Sequence, residues 1–274
     1  MHEAAAVGPF FGVRTDAAPG PGGPRAEGYV ALGEAYRTTD GTAAQPLLDR
    51  IDAVAATLGA GERRVAASLV FQGLAARLWS IALGPAALHG RVPDLRPDTL
   101  WWNPARTAPH DLWLPGPVRA LGEPGGVAGQ LGHAVYVNLL PLHRATRTAC
   151  RISEALLWGN AAAALAGSLR VLCGWCRAQG RPEAARRAVD LARALLAAPP
   201  LENTGTWHLG PERDFRRRSC CLYYRVPGGG LCGDCALTPR APGPRAAPPH
   251  QVSRVSVAGP IPVLPTPLPL QLPR

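Results

Sequence analysis

The stretch Cys220-Cys221-Leu222-Tyr223-Tyr224-Arg225-Val226-Pro227-Gly228-Gly229-Gly230-Leu231-Cys232-Gly233-Asp234-Cys235 carries four of the chain's seven cysteines, and the rest of the chain reads as a body that positions it. Two thiol pairs facing each other across a turn supply four soft thiolates, a ligand set that suits zinc or an iron-sulfur cluster. Cys232-Gly233-Asp234-Cys235 is a good half of a zinc site, because two residues between ligands let both sulfurs reach one ion and Gly233 permits the tight turn. Cys220 and Cys221 fit zinc badly, since adjacent residues in extended chain point to opposite faces. Disulfides are disfavoured by the odd cysteine count and by an N-terminus, Met1-His2-Glu3-Ala4-Ala5-Ala6-Val7-Gly8, that lacks the basic start and apolar run of a secretory signal. A [2Fe-2S] cluster has two irons and accommodates diverging pairs, although the spacing is not that of plant-type ferredoxins. Spacing rules leave the cluster a little ahead of zinc, with both readings open.

The pattern of adjacent cysteines, ten intervening residues and a Cys-x-x-Cys pair resembles the C-terminal cluster motif of the FhuF-like ferric iron (siderophore) reductases. Arg217-Arg218-Ser219-Cys220-Cys221-Leu222-Tyr223-Tyr224-Arg225 and Leu231-Cys232-Gly233-Asp234-Cys235 are similar to its actinobacterial-type branch, as are Arg64-Val65-Ala66-Ala67-Ser68, Arg77-Leu78-Trp79 and Leu157-Trp158-Gly159-Asn160-Ala161. The likeness runs from about residue 60 to residue 238. It implies that Cys220, Cys221, Cys232 and Cys235 ligate a [2Fe-2S] centre that passes single electrons to ferric iron held by a siderophore. Such a centre carries a formal charge of about −2, and about −3 after reduction. Arg216, Arg217, Arg218 and Arg225 stand where they offset it, and the first three are also candidate contacts for an anionic substrate. The amides of Gly228 to Gly230 are candidate donors to sulfur.

The net charge of +10 invites a nucleic-acid reading, yet every basic residue among the 29 is arginine. Such one-sided usage points to compositional bias as much as to a binding surface, and no base-stacking aromatic motif accompanies the arginines, so no nucleic-acid partner is expected. A zinc protein, structural or nucleic-acid-binding, shares the four cysteines and the charge and is the main alternative; a cluster-based redox sensor is another. A cytoplasmic location is expected. The apolar run from Ala155 to Leu169 contains Asn160 and Ser168 and reads as a buried core helix, not as a membrane span.

In chain order, residues 1–28 are rich in Ala, Gly and Pro and are expected to be disordered. Leu47, Leu48, Ile51, Val54, Ala55 and Leu58 share a helical face that Gly59 ends, and a second helix from about Glu62 to Leu83 is apolar nearly all round, which makes it central. Thr99–Asn103 and Asp111–Leu114 read as short antiparallel strands whose tryptophans, Trp101, Trp102 and Trp113, either pack or line a cleft. Helices follow at about Gly132–Cys150, Ser153–Arg177 and Pro182–Ala197. The expected architecture is mainly α with a small antiparallel β region (α+β): a mostly helical body over 29–212, a cluster-binding segment over 213–238 and a disordered Pro-rich tail over 239–274.

The remaining candidates read mostly as structure. Cys173-Gly174-Trp175-Cys176 closes an apolar helix, where the dipole opposes thiol ionisation, so a redox dithiol is disfavoured; Cys150 reads as packing. His89, His110, His133, His143 and His208 match no metal-binding spacing. Asn160 is either a satisfied core amide or a group presented to substrate. No phosphate-binding or dinucleotide fingerprint is present, so electrons are expected from an external donor, a ferredoxin or a flavin-dependent reductase.

Overall fold

The computed structural model describes residues 1–17, 23–122, 126–207 and 215–238. The elements follow the order α1 (His2–Ala5), α2 (Gly23–Ala26), β1 (Val30–Ala31), α3 (Leu32–Ala35), β2 (Thr38–Thr39), β3 (Thr42–Ala43), α4 (Gln45–Leu58), α5 (Arg63–His89), β4 (Trp101–Trp102), β5 (Leu112–Trp113), α6 (Gly126–Ala149), α7 (Glu154–Ala178), α8 (Pro182–Leu196), β6 (Gly205–Trp207) and β7 (Phe215–Arg217). The fold is mainly helical with small antiparallel sheets, as the sequence pattern predicts.

Helix α5 is the axis, because a helix apolar on every face is stable only when neighbours cover every face. Helix α7 runs parallel to it: Asn160 meets Ser68, and one stretch further along Ser168 meets Ala76 and Ser80. Helix α6 runs the other way, with Tyr136 against Trp79 and His143 against Phe71. Short connections then make α4 and α8 antiparallel neighbours of α5 and α7. Gly59, left-handed at φ 59°, ends α4 as its sequence position predicts.

By length and composition α5 and α7 could both cross a membrane, which extends the shorter apolar run expected from the sequence; here 78% and 83% of their apolar windows are buried inside the protein. Helix α5 also continues past its expected end, through Pro85 to His89. Tertiary contacts carry it: Ala86, Ala87 and Leu88 are buried, and Arg187 of α8 donates to the carbonyls of Ala87 and Leu88 at 2.8 and 3.3 Å.

The N-terminal residues depart from the expectation of disorder. Ala4 and Phe11 are buried against Gly84, whose missing side chain leaves room for both: a Cβ there would lie 3.1 Å from each. Arg77 of α5 fixes the following backbone. Its Nε meets Asp111 at 2.9 Å, Nη1 donates to the carbonyls of Pro9 and Phe10, and Nη2 donates to that of Gly12 at 2.7 Å. An Ala- and Pro-rich segment without periodicity is thus ordered by what it packs on, a gain that local propensity does not register.

Strands β1, β4 and β5 form the aromatic sheet, with Trp102 opposite Val30 and Trp101 opposite Trp113. Trp102 and Trp113 are buried, Arg14 stacks 3.6 Å over the Trp113 ring and Tyr29 meets its edge, so these two aromatics pack, while Trp101 is half-buried. Cys173 and Cys176 are buried on α7. The Pro-rich tail and His208 lie outside the described residues.

Candidate metal centre

The approach to the thiols begins with a hairpin absent from the sequence reading. Strands β6 and β7 pair with Gly205 opposite Arg217 and Trp207 opposite Phe215. Gly205 is required for the pairing, since a Cβ would stand 2.6 Å from the Arg216 carbonyl oxygen and 2.3 Å from the Phe215 ring. Side chains alternate along β7: Phe215 and Arg217 are buried and Arg216 is only partly so. Arg218 follows in solvent. The three consecutive arginines are therefore not one basic edge. Arg216 reaches the carbonyls of Ala236 and Thr238, whereas Arg217 enters the body and donates through Nη2 to the Asn160 amide oxygen.

The first thiol pair is held against α7 and α5. Ser219 donates to the Ala155 carbonyl at 3.0 Å and sits where Gly159 leaves space, a Cβ at Gly159 falling 2.2 Å from the Ser219 Oγ. Ser68 donates to the Cys221 carbonyl at 2.7 Å. Asn160 donates to the Ser68 carbonyl and hydroxyl oxygens, each at 2.9 Å. The second pair hangs on Asp234, whose carboxylate takes a two-pronged ion pair from Arg170 of α7 at 2.9 and 3.2 Å and whose carbonyl accepts the Arg217 N–H at 3.1 Å. Between the pairs, Arg225 pairs with Glu62, pinning the connecting turn to the start of α5.

The sulfurs are met by backbone donors two residues ahead. The N–H of Leu222 donates to Cys220 Sγ and that of Leu237 to Cys235 Sγ, both at 3.3 Å, and Tyr223 N–H donates to Cys221. Leu222 is left-handed at φ 70°, a conformation that bends the chain back over its own thiols. A proton shared with Cys232, the Tyr223 N–H and the Arg217 charge hold the Cys221 thiol below its ordinary pKa. Cys232 is pushed up by the same shared proton and by burial. Among the described residues no three His, Cys, Asp or Glu side chains converge as they would around a single ion.

Two expectations are corrected. Of the Gly228 to Gly230 amides expected to donate to sulfur, that of Gly229 is taken by the Val226 carbonyl at 2.8 Å, and the observed donors to sulfur are Leu222, Tyr223 and Leu237. Asn160 is fully buried with both ends of its amide occupied, so it is not presented to a substrate. Sequence reading missed Arg170 and Asp234 as a pair, though an acid inside a Cys-x-x-Cys loop signals a need for a partner. Among the described residues the histidines do not assemble: His143 stacks on Trp158 at 4.9 Å and His89 pairs with Glu3.

The residues fit an anionic sulfur-ligated group. Four thiols lie on one segment, and Arg217, 2% exposed, leaves Nε and Nη1 without a hydrogen-bond partner. A buried cation so placed calls for an anion beside it. Residues 217–237 match the family model of the FhuF 2Fe-2S C-terminal domain, and this span contains all four cysteines of the motif. The segment thus carries an FhuF-type [2Fe-2S] motif, and the cofactor it indicates is a [2Fe-2S] cluster. The zinc reading is thereby set aside. Comparison with curated proteins finds no match to the chain.

Proposed function

We propose that this protein is a cytoplasmic ferric-chelate reductase, which takes single electrons from an external donor and releases ferrous iron from a siderophore. Cys220, Cys221, Cys232 and Cys235 hold the cluster. When bound, the [2Fe-2S] cluster supplies a one-electron carrier; the polypeptide supplies its fixing, its electrostatics and access to it. The observation that carries this reading is an open groove of about 480 Å³ beside the thiol loop, lined by Thr206, Arg216, Arg217, Arg218 and Ala236. Guanidinium forks suit carboxylate, hydroxamate or catecholate oxygens, and Ala236 adjoins Cys235, so a chelate seated there stands next to a ligand residue.

Oxygen-donor chelators favour the hard ferric ion, so reduction removes their binding advantage. Each deficit of about 59 mV costs tenfold for one electron, and a shortfall of about 180 mV is about a thousandfold uphill, so capture of the ferrous ion has to draw the reaction forward. The test mixes reduced protein with a ferric hydroxamate chelate and a ferrous-specific chromophore under anaerobic conditions. Chromophore formation faster with anionic than with neutral chelates, and slowed by salt, is the expected result. A reduced protein that stays reduced in the presence of every ferric chelate overturns the reading in favour of a redox sensor.

A further inference from the structure

Arg217, which lines the substrate groove, also anchors a second, buried arrangement of groups behind it. Its guanidinium is withdrawn from water, yet only Nη2 finds an acceptor, the Asn160 amide oxygen. Asn160 is fixed by its two bonds to Ser68, and Ser68 donates to the Cys221 carbonyl. A single buried chain of hydrogen bonds thus joins Arg217, Asn160, Ser68 and Cys221 and locks the guanidinium to the first thiol pair. The guanidinium is close enough for its charge to act on Cys221 and Cys232. A buried charge is screened far less than the exposed Arg218.

We propose that Arg217 is the built-in counter-charge of the iron-sulfur centre, aimed by Asn160 and Ser68 as positioning residues, and that it favours the more negative, reduced state. This rests on the assignment of the four cysteines as ligands and not on reductase activity.

The experiment uses full-length holoprotein and reads iron per chain, the electron paramagnetic resonance spectrum of the reduced form and the midpoint potential. None of these involves a ferric chelate, so failure of the reductase reading and failure of this proposal are separate results. Arg217→Gln is expected to move the reduced-to-oxidised ratio at fixed potential by about tenfold toward oxidised, about 59 mV downward. Arg217→Lys restores most of that shift because the charge remains, Arg218→Gln moves the ratio by less than about threefold, and Asn160→Ala broadens the resonance because the guanidinium is no longer aimed. A potential for Arg217→Gln equal to that of the parent, or Arg217→Lys shifting as far as Arg217→Gln, overturns the proposal. Should Arg217→Gln fail to hold iron, Arg217→Lys decides: iron bound near the parent potential supports the counter-charge, and failure of the lysine variant too shows a packing role and overturns it.

Discussion

Among the described residues two arginines are buried, Arg77 and Arg217, and their charges are closed in different ways. Arg77 has Asp111 on Nε and backbone carbonyls on both terminal nitrogens, so the polypeptide neutralises and satisfies it completely. Arg217 has one amide oxygen and two nitrogens without a hydrogen-bond partner. The first arrangement stabilises a fold by itself. The second is costly until something anionic arrives, which marks it as part of a binding site.

The largest expected effect tests the open side of this comparison. Replacing Cys220, Cys221, Cys232 or Cys235 with Ser should abolish or alter the visible spectrum and reduce iron from about two per chain. Cys173→Ala and Cys176→Ala should leave both readings intact; loss of colour in those variants would mean that the ligands are misassigned.

The closed side is tested by chemical denaturation with and without cluster. Arg77→Met should destabilise apoprotein and holoprotein alike by about 3–5 kcal/mol, since it strands Asp111. Arg217→Met should leave the apoprotein unchanged or more stable, because it removes a poorly satisfied buried charge, and should weaken only the holoprotein. Equal losses for both variants in the apoprotein would erase the distinction. Phe11→Ala should cost about 3 kcal/mol, the order found for emptying a buried aromatic site, and an unchanged denaturation midpoint would return the N-terminus to disorder.

A smaller effect is expected from Gly159→Ala, about 1–3 kcal/mol, because the new methyl displaces Ser219 and with it the first thiol pair. Iron content, measured beside stability, should fall in step.

The smallest concerns a buried base. Burial lowers the His143 pKa, with Glu154 4.0 Å from Nε2 offsetting only part, so the folded state prefers neutral imidazole. Its contribution is present above the unfolded value of about 6.5 and is lost as pH falls through the lower folded value. The parent should lose melting temperature as pH falls below about 6.5, and His143→Phe should lose less; parallel curves would show that His143 does not titrate with unfolding.

Helix periods, the stop at Gly59, the paired aromatic strands and the thiol motif were legible because each is a local pattern: side-chain period, turn chemistry and ligand spacing are written in neighbouring residues. The strands β6 and β7 were not, being three residues each and paired through Gly205, whose need for close approach shows only once both strands are present. The N-terminal segment was misread for the same reason. Ala4, Phe11 and the carbonyls of Pro9, Phe10 and Gly12 have partners on α5 and at Asp111, and no window of sequence contains both sides of those contacts.

By itself the chain determined its helical class, its cofactor motif and the presence of an arginine run before the thiols. Only the tertiary structure decided which of those arginines faces inward. Strand alternation in β7 buries Arg217 and leaves Arg216 and Arg218 toward solvent, and Asn160 and Ser68, distant in sequence, supply the amide and hydroxyl that orient it. The physical reason is that spacing along a chain fixes which residue types are available, whereas the energy of a buried charge depends on every group around it.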